Sequence, residues 1–365
     1  YDQKGAEDFY DSYTGGWLSN YRNAGKSTNW MDEITRNGLI QEYGFDINSG
    51  AKEKTAPIFY LSYNYLGDES FMKGKDLKRH TLRFNLDQQP CKFVKYGINT
   101  SFSYTVTNNG AGGGYFSDPL TQVYMMNPMT GVYDENGDFN FDTSTQYNPV
   151  ALRSKLGDKN EAKQYQATVS PYVQLNILPG LTWMTKGGLD LYYVDEYEFW
   201  SFLNPQGKSQ NGYGANFSNM RSLLTITNTL NYIKTFGEKH HLNVLLGQEG
   251  QQTSIRREDM ENSNFPVQNL GQLSLASVPG SAKTYKFKLV QNSFFSNLQY
   301  DYDNKYYVSA SFRTDGSSRF GKDHRWASFW SVGAKYRIPE EKFMEAAKSW
   351  LTDLTIRGSY GTTCN

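Results

Sequence analysis

The sequence predicts an all-β protein in which about twelve antiparallel strands form part of a transmembrane β-barrel, with long extracellular loops and short periplasmic turns. Three observations predict this fold. Aromatic residues are abundant in a chain that is polar on average. Apolar and polar residues alternate in segments of about ten residues, and the connections between these segments alternate between short and long.

The composition separates a barrel wall from a soluble core. Aromatic residues make up 16% of the 365 residues, with 28 Tyr and 22 Phe, yet the mean hydropathy is -0.68. A soluble core would be richer in Leu, Ile and Val, whereas a barrel wall carries aromatic belts at both membrane interfaces. No run of about 18 apolar residues occurs, so no membrane helix is predicted. Basic and acidic residues number 37 each, which gives no argument for a nucleic-acid partner.

Cysteine usage and the first residues add two smaller constraints. Cys91 and Cys364 are far apart, which excludes a disulfide-stapled scaffold and a four-thiolate zinc site. No role is assigned to either thiol. The N-terminal residues lack the basic and apolar regions of a signal peptide. For an outer-membrane protein we therefore expect further residues before Tyr1.

Alternation with a period of two is clearest between Val94 and Tyr104, where every second residue is Val, Tyr, Ile, Thr, Phe or Tyr. The residues between them are polar or Gly, and the polar faces of the other segments are rich in Ser, Thr, Asn and Gln, as a wet lumen requires. A tilted strand of about ten residues crosses a membrane. The predicted strands lie near 39–49, 57–66, 79–87, 94–105, 164–177, 181–193, 221–232, 241–251, 288–300, 305–314, 327–336 and 351–361.

The connections support the same fold. The short ones are 178–180, 235–239 and 301–304, and the long ones run near 106–163, 194–220, 252–287 and 315–326. A soluble sandwich would mix long and short loops, whereas an outer-membrane barrel alternates short periplasmic turns with long outer loops. The stretch 337–350 falls on the short-turn side and is predicted to hold a brief helix after Pro339.

Counting strands backwards from a long loop predicts which loops share a side of the membrane, and with it the domain organisation. If 106–163 is extracellular, residues 1–38 are extracellular too, and the first strand descends. We therefore expect a single partial barrel domain over 1–365, with an extracellular loop region at 1–38 and barrel strands and loops at 39–361. Because an open sheet edge in lipid leaves backbone groups unsatisfied, we expect at least one strand before Tyr1 and more after Asn365.

Four stretches carry a more specific pattern. Residues 305–321 read Lys-Tyr-Tyr-Val-Ser-Ala-Ser-Phe-Arg-Thr-Asp-Gly-Ser-Ser-Arg-Phe-Gly, and 326–333 read Trp-Ala-Ser-Phe-Trp-Ser-Val-Gly. A turn with Ile-Pro-Glu-Glu-Lys-Phe-Met follows, and then a strand with Arg-Gly-Ser-Tyr-Gly. Weaker supports occur at 28–33, 177–181 and 246–249. In this order the stretches resemble the SusC/RagA family of TonB-linked outer-membrane proteins over nearly the whole chain. The residues that carry the family motif are Arg313, Asp315, Gly316, Ser317, Ser318, Arg319, Phe320, Gly321 and Arg357.

The resemblance implies a 22-stranded barrel with a plugged lumen, of which this chain would supply about twelve strands. Such proteins import glycan oligosaccharides or peptides, with a SusD-like surface lipoprotein as a lid and TonB–ExbB–ExbD as the energy source. The plug and the C-terminal strands of the family are not found in this sequence. Cys364 stands where the family usually has Gly.

Other chemistry is not supported by the residue patterns. The four His residues lack any metal-binding spacing. The 134–142 segment resembles a calcium loop, but Gly137 and Thr145 do not fit the EF-hand positions, so an acidic turn is the better interpretation. Gly110–Gly114 lacks the Lys and helix of a phosphate-binding loop, and no Gly-x-Ser-x-Gly elbow occurs. We therefore expect no catalytic residues, no metal, no cofactor and no enzymatic activity.

Aromatic loop residues form the predicted ligand surface, because sugar rings and peptide side chains both pack on aromatic faces. The opposing interpretation is that these rings pack loop on loop or anchor the upper belt. We also expect Arg313, Arg319 and Arg357 to form a structural ion-pair network with Asp315. The predicted substrate contacts are Tyr115, Phe116, Tyr124, Tyr197, Phe199 and Trp200.

Three classes of function remain at this point. The first is an outer-membrane importer with no catalysis. The second is a soluble or surface β-rich carbohydrate-binding module, which would need its strands to close within about 100–250 residues. The third is a secreted hydrolase, which would need a convergent carboxylate pair in a cleft. The regular loop alternation and the resemblance favour the importer.

Overall fold

A computed structural model describes residues 27–50, 53, 55–110, 118–143, 146–267, 272–347 and 349–362. Over these residues, twelve strands form one antiparallel sheet in which each strand pairs with the next along the chain. The strands are β1 Ile40–Asn48, β2 Ile58–Glu69, β3 Asp76–Cys91, β4 Val94–Asn108, β5 Lys159–Leu178, β6 Leu181–Trp200, β7 Tyr213–Phe236, β8 His240–Ser263, β9 Val278–Tyr302, β10 Tyr306–Ser317, β11 Trp326–Arg337 and β12 Thr355–Gly361.

Every predicted strand is present, so the all-β prediction is confirmed, but most strands are longer than the sequence indicated. β8 was expected over 241–251 and runs to Ser263, and β9 was expected from 288 and begins at Val278. The extra residues lie at the end with the long connections. Beyond the membrane both faces of a strand meet water, so the alternation fades while the hydrogen-bonded ladder continues.

The two faces of the sheet differ in polarity. Phe45, Tyr63, Leu82 and Phe102 are partners in successive strand pairs and therefore form one apolar row. Large apolar side chains on this face, such as Phe102 and Leu224, are 45% and 46% exposed. The opposite face is concave and holds cavities of about 710 Å³ and 910 Å³ lined mainly by polar side chains. We call the apolar side the outward face and the concave side the inner face.

The short turns have the backbone geometry that two-residue hairpins require. Gly180 has φ +82° in the β5–β6 turn, and a Cβ there would collide with the carbonyl oxygen of Ile233. Asp303 and Asn304 in the β9–β10 turn have φ values of 56° and 54°. Asn and Asp tolerate this left-handed region better than other non-glycine residues, which fixes the register of the hairpin.

Short helices lie at the opposite end, and three of them start in the same way. α2 (Pro119–Met125), α3 (Pro149–Arg153) and α4 (Pro205–Ser209) each have Asp or Asn as the N-cap and Pro at the first helical position. The cap accepts backbone N–H bonds, and Pro costs nothing where an N–H has no helical partner. Within the described ranges, no helix has the length and apolar character needed to cross a membrane.

The main apolar cluster of buried residues sits in this loop region rather than within the sheet. α1 (Trp30–Ile34) packs against the long β4–β5 connection, where Trp30 contacts Met126 and Val132. The Trp30 indole N–H donates to the carbonyl oxygen of Asn127 at 3.1 Å. Residues 27–38 therefore lie at the end of the sheet that carries the long connections.

The connection between β11 and β12 contains the brief helix expected after Pro339. It takes the 3₁₀ form, over Ile338–Glu340 and Lys342–Ala347. Phe343 and Trp350 are 72% and 74% exposed at this end of the sheet. Tyr306 and Tyr336 stack nearby with ring centroids 5.0 Å apart. These rings form an aromatic belt at the short-turn end, as expected at a membrane interface.

Candidate functional site

The inner face of β1–β5 carries a polar cavity of about 910 Å³. Arg79 and Arg83 lie four residues apart on β3, so they point to the same side. Glu42 and Asp46 supply carboxylates from β1. The Glu42 carboxylate accepts a hydrogen bond from the Asn64 side chain at 2.9 Å. Cations, carboxylates and hydroxyls in one concave surface can bind a polar, extended ligand through many weak contacts.

An aromatic pair marks the upper end of this face. Trp200 ends β6 and Tyr213 begins β7, and the two are register partners with ring centroids 4.3 Å apart. The Trp200 indole N–H donates to the Glu198 carboxylate at 2.8 Å. Because residues two apart share a face of a strand, Glu198 and Trp200 both point inward. Two rings beside a carboxylate suit a sugar ring, whose C–H face packs on aromatics while its hydroxyls donate to the acid.

A polar column descends from the aromatic pair along β6. Glu196 accepts a hydrogen bond from the Asn160 side chain at 3.2 Å. Lower on the same face, the Asp190 carboxylate accepts from the Thr168 hydroxyl at 2.7 Å. Amide and hydroxyl partners hold these carboxylates in fixed positions along the wall. The column therefore links the aromatic rim to the lower part of the inner face.

One buried carboxylate anchors the loop that follows Trp200. Asp158 accepts hydrogen bonds from the Ser201 N–H and hydroxyl at 2.7 and 2.9 Å and from the Asn204 amide at 2.6 Å. Asn204 in turn caps α4 by accepting from the Gln206 N–H. Burial raises the pKa of Asp158 to about 6, against the opposing effect of these donors. The loop that follows Trp200 is thus held by a carboxylate whose pKa is raised by burial.

The predicted substrate contacts are not brought together in one surface. Tyr115 and Phe116 lie outside the described residues. Tyr124 is 77% exposed on α2, at the loop end of the sheet. Tyr197 and Phe199 share a strand face opposite to that of Trp200. Of this set, Trp200 alone lies beside the inner carboxylates among the described positions.

Phe199 does not belong to the candidate ligand surface. Its side chain is 2% exposed and packs edge-to-face on Phe265, with ring centroids 5.2 Å apart. A buried ring of this kind stabilises the loop and cannot touch a ligand. Sequence inspection missed Tyr213 and Glu198. Strict alternation would have found Glu198 as the inward neighbour of Trp200, but Tyr213 required the strand register.

The family-motif residues close the β10–β11 hairpin. The Arg313 Nε donates to both Asp315 oxygens at 2.8 and 2.9 Å, and its guanidinium also donates to the Ser293 hydroxyl at 3.1 Å. A Cβ at Gly316 would meet the Trp326 ring at 2.9 Å, so the ring lies directly on the glycine. The Ser318 hydroxyl accepts from the Val290 N–H on β9. These contacts are structural.

The prediction that Arg313, Arg319 and Arg357 share one ion-pair network with Asp315 is wrong. Arg313 pairs with Asp315, but the Arg319 guanidinium lies 5.6 Å from the ring centroid of Phe287. Arg357 pairs in register with Lys335 at the short-turn end of the inner face. Ser317 and Phe320 belong to the hairpin tip, where the Ser317 N–H donates to the Arg325 carbonyl. Gly321 has open space around its Cβ position, and nothing in the structure explains it.

The 134–142 segment is a tight turn within a small hairpin. Tyr133 and Phe139 form an antiparallel bridge, and Asp134 accepts the N–H groups of Asn136 and Asp138 at 2.8 and 3.0 Å. The Asp134 side chain therefore binds the backbone N–H groups of its own turn. Over the part of the chain that the structure describes, no group of three or more His, Cys, Asp or Glu side chains is placed to hold a metal ion.

Comparison with known proteins agrees with the resemblance that the motifs carry. Over 346 residues the chain is 28% identical to TonB-dependent receptor P39 of Formosa agariphila. This alignment covers 92% of this chain and 32% of the relative. The chain is 26% identical over 366 residues to TonB-dependent receptor SusC of Bacteroides thetaiotaomicron, covering 92% and 35%. Its fold matches the RagAB peptide transporter with a TM-score of 0.74 and 23% identity, over 92% of this chain and 38% of that chain. No family model matches the sequence.

The resemblance to the SusC/RagA family is confirmed. The chain spans about a third of the length of the curated relatives that it matches. Its sheet has the fold of a TonB-dependent transporter barrel, and its strands cross an outer membrane, as predicted. The outward face exposes a continuous set of large apolar side chains, which favours a membrane-spanning wall over a water-soluble carbohydrate-binding module.

Proposed function

We propose that the complete protein imports a polar nutrient oligomer across the outer membrane, driven by TonB–ExbB–ExbD through a plug and assisted by a SusD-like lipoprotein. The observation that carries this proposal is the inner wall, where a rim of paired aromatic rings continues into a column of fixed carboxylates along β6. This chain contributes wall and ligand surface, with no catalytic step.

Glycan oligosaccharides are the proposed substrate class. The Trp200–Tyr213 pair offers two rings for the apolar face of a sugar, and Glu198 offers an acceptor for its hydroxyls. Many moderate contacts of this kind bind an oligosaccharide without trapping it, which transport requires. The curated relative SusC and the match to the RagAB transporter fold support import as the activity.

A peptide is the second candidate. The cavity on the inner face of β1–β5 holds Arg79 and Arg83 beside Glu42 and Asp46, so it offers partners for both termini and for charged side chains. The RagAB structure, which the fold matches, is described as a peptide transporter. The two substrate classes would use different parts of the same wall.

The test uses the complete protein, purified in detergent with any lipoprotein that accompanies it. Isothermal titration with panels of oligosaccharides and peptides identifies the class. Trp200→Ala should weaken oligosaccharide binding about fivefold, since stacking contributes on the order of 1 kcal/mol. Tyr165→Ala, which removes an outward-facing ring, should leave binding unchanged.

Two results would redirect the proposal. If Arg79→Gln and Arg83→Gln abolish binding of a peptide while Trp200→Ala has no effect, the substrate is a peptide. If the complete protein binds neither class and cells lacking TonB take up both at the normal rate, the import function is wrong.

A further inference from the structure

A basic pocket lies on the outward face, above the apolar band. It has a volume of about 340 Å³ and spans β7, β8 and β9. Its lining includes one Arg, two Lys and two Ser side chains, all of which alternate onto the outward side of their strands. The outward lining residues are Met220, Ser222, Ser254, Arg256, Lys286 and Lys288.

The register places these groups in two adjacent rows. Ser222, Ser254 and Lys288 are successive partners across the three strands, and Arg256 and Lys286 are partners in the next row. Neighbouring strands are about 4.8 Å apart, and residues two apart along a strand about 7 Å. The hydroxyls and cations are therefore close enough together to contact one phosphate group.

The two lysines have no internal counter-charge. Arg256 donates to the Glu258 carboxylate, which orients its guanidinium. Within the described ranges, neither Lys286 nor Lys288 lies within 4.0 Å of a carboxylate oxygen. Both side chains are exposed. Two unpaired cations beside serine hydroxyls match the charge and the hydrogen-bonding needs of a phosphoryl group.

The height of the pocket selects a lipid as the source of that phosphate. β9 leaves the short-turn belt at Tyr302, and a tilted strand crosses the membrane in about ten residues. Phe294 and Trp326 lie near the far side of that span, 50% and 53% exposed, with ring centroids 6.1 Å apart. Lys288 lies six residues beyond Phe294 on the same strand face, at the level of the headgroups.

Apolar side chains continue the outward face directly below the pocket. Val290 and Leu224 are 37% and 46% exposed there, and they lie next to Lys288 and Ser222 along their strands. Acyl chains can pack on this surface while the headgroup reaches the cations. A free phosphate ion would gain nothing from the apolar surface, whereas a phosphorylated lipid uses both parts.

We propose that Ser254, Arg256, Lys286 and Lys288 form a binding site for the phosphorylated headgroup of an outer-leaflet lipid. The site lies outside the barrel, on the face opposite to the substrate wall. Its occupation would fix the height of β7–β9 in the membrane and support the long strands that rise above it.

The test compares two matched double variants of the complete protein in neutral detergent. Lys286→Gln with Lys288→Gln removes two cations from the pocket. Arg257→Gln with Lys283→Gln removes two cations from the same two strands, β8 and β9, but from the opposite face. Native mass spectrometry measures binding of monophosphoryl lipid A and of the same lipid stripped of its phosphate.

The wild-type protein should bind the phosphorylated lipid in preference to the stripped one. Each cation near an anionic headgroup contributes about fivefold in affinity, so the pocket variant should bind about thirtyfold more weakly. The control variant should bind as the wild type does. Equal binding by both doubles and the wild type would overturn the proposal, as would an equal loss in both. Displacement of the lipid by an equimolar amount of inorganic phosphate would show a free-phosphate site instead.

Discussion

At the scale of single residues, the inner wall depends on a few side chains whose neighbours fix their orientation. Trp200 is held by Glu198, and the loop after it is held by Asp158. Gly247 lets the Phe295 ring lie flat on β8, because a Cβ there would collide with the ring. The Arg313 guanidinium then lies 5.6 Å above that ring. The orientation of these side chains therefore depends on their neighbours in the wall.

Asp158 predicts a pH dependence for the loop that starts at Ser201. Its pKa is raised from 3.8 to about 6 in the folded protein, so the folded state binds the proton more tightly than the unfolded state. The loop should therefore be most stable below pH 4 and lose stability as the pH rises to about 6. The loss is at most ~3 kcal/mol, since one pKa unit corresponds to about 1.4 kcal/mol.

Hydrogen exchange of residues 201–212 at several pH values, corrected for intrinsic rates, measures this loss. Asp158→Asn, which cannot ionise, should make the opening free energy independent of pH between 4 and 7. Asp142→Asn, at an exposed position in the β4–β5 connection, should keep the wild-type profile. A wild-type loop that becomes more stable as the pH rises would contradict the sign of the argument.

At the scale of strands, the outward face contains a polar ladder within its apolar band. The Thr185 hydroxyl donates to the Asn228 oxygen at 2.6 Å, and the Asn228 amide donates to the Gln248 oxygen at 2.9 Å. These residues are register partners across β6, β7 and β8. Polar groups facing lipid are tolerated here because they satisfy one another.

Asn228→Leu tests this ladder. It leaves the Thr185 hydroxyl and the Gln248 amide without partners in an apolar surrounding, and should lower the free energy of unfolding by about 1–3 kcal/mol. Replacing all three with Thr185→Val, Asn228→Leu and Gln248→Leu should restore or exceed wild-type stability. The temperature at which half of the protein shifts its migration on a gel measures the stability of the single and of the triple variant. A triple variant less stable than Asn228→Leu would show that the ladder has another role.

Strand positions were predictable because lipid on one side and water on the other impose a period of two. The ends of the strands were not predictable in this way. In β8, for example, the ladder continues through Gln251, Gln252, Arg256 and Arg257, which show no alternation. The sequence indicates Trp200 because it is a large aromatic residue near a loop. Tyr213 is its neighbour only through the β6–β7 register, which depends on backbone pairing across a long connection.

At the scale of the whole molecule, the sheet separates three environments: a polar inner wall, an apolar outward band and a loop end with its own small core. The buried apolar residues lie mainly in the loops, around Trp30, Met126 and Val132, because the outward side chains are solvated by lipid instead of by a protein interior. Loop packing and strand pairing therefore contribute to stability independently, and rim substitutions should leave the barrel intact.

The orientation of the molecule gives a last prediction, which uses Cys91 as a natural reporter. Cys91 is exposed at the β3–β4 turn, on the short-turn end, whereas Tyr124 lies on α2 at the loop end. If the short turns are periplasmic, a maleimide polymer too large for porins should label Tyr124→Cys in intact cells. It should reach Cys91 only after the outer membrane is permeabilised, and peptide mass spectrometry distinguishes the two sites. Labelling of Cys91 in intact cells would invert the orientation and move the basic pocket on β8 and β9 to the inner leaflet, so this measurement also decides where the phosphorylated lipid must come from.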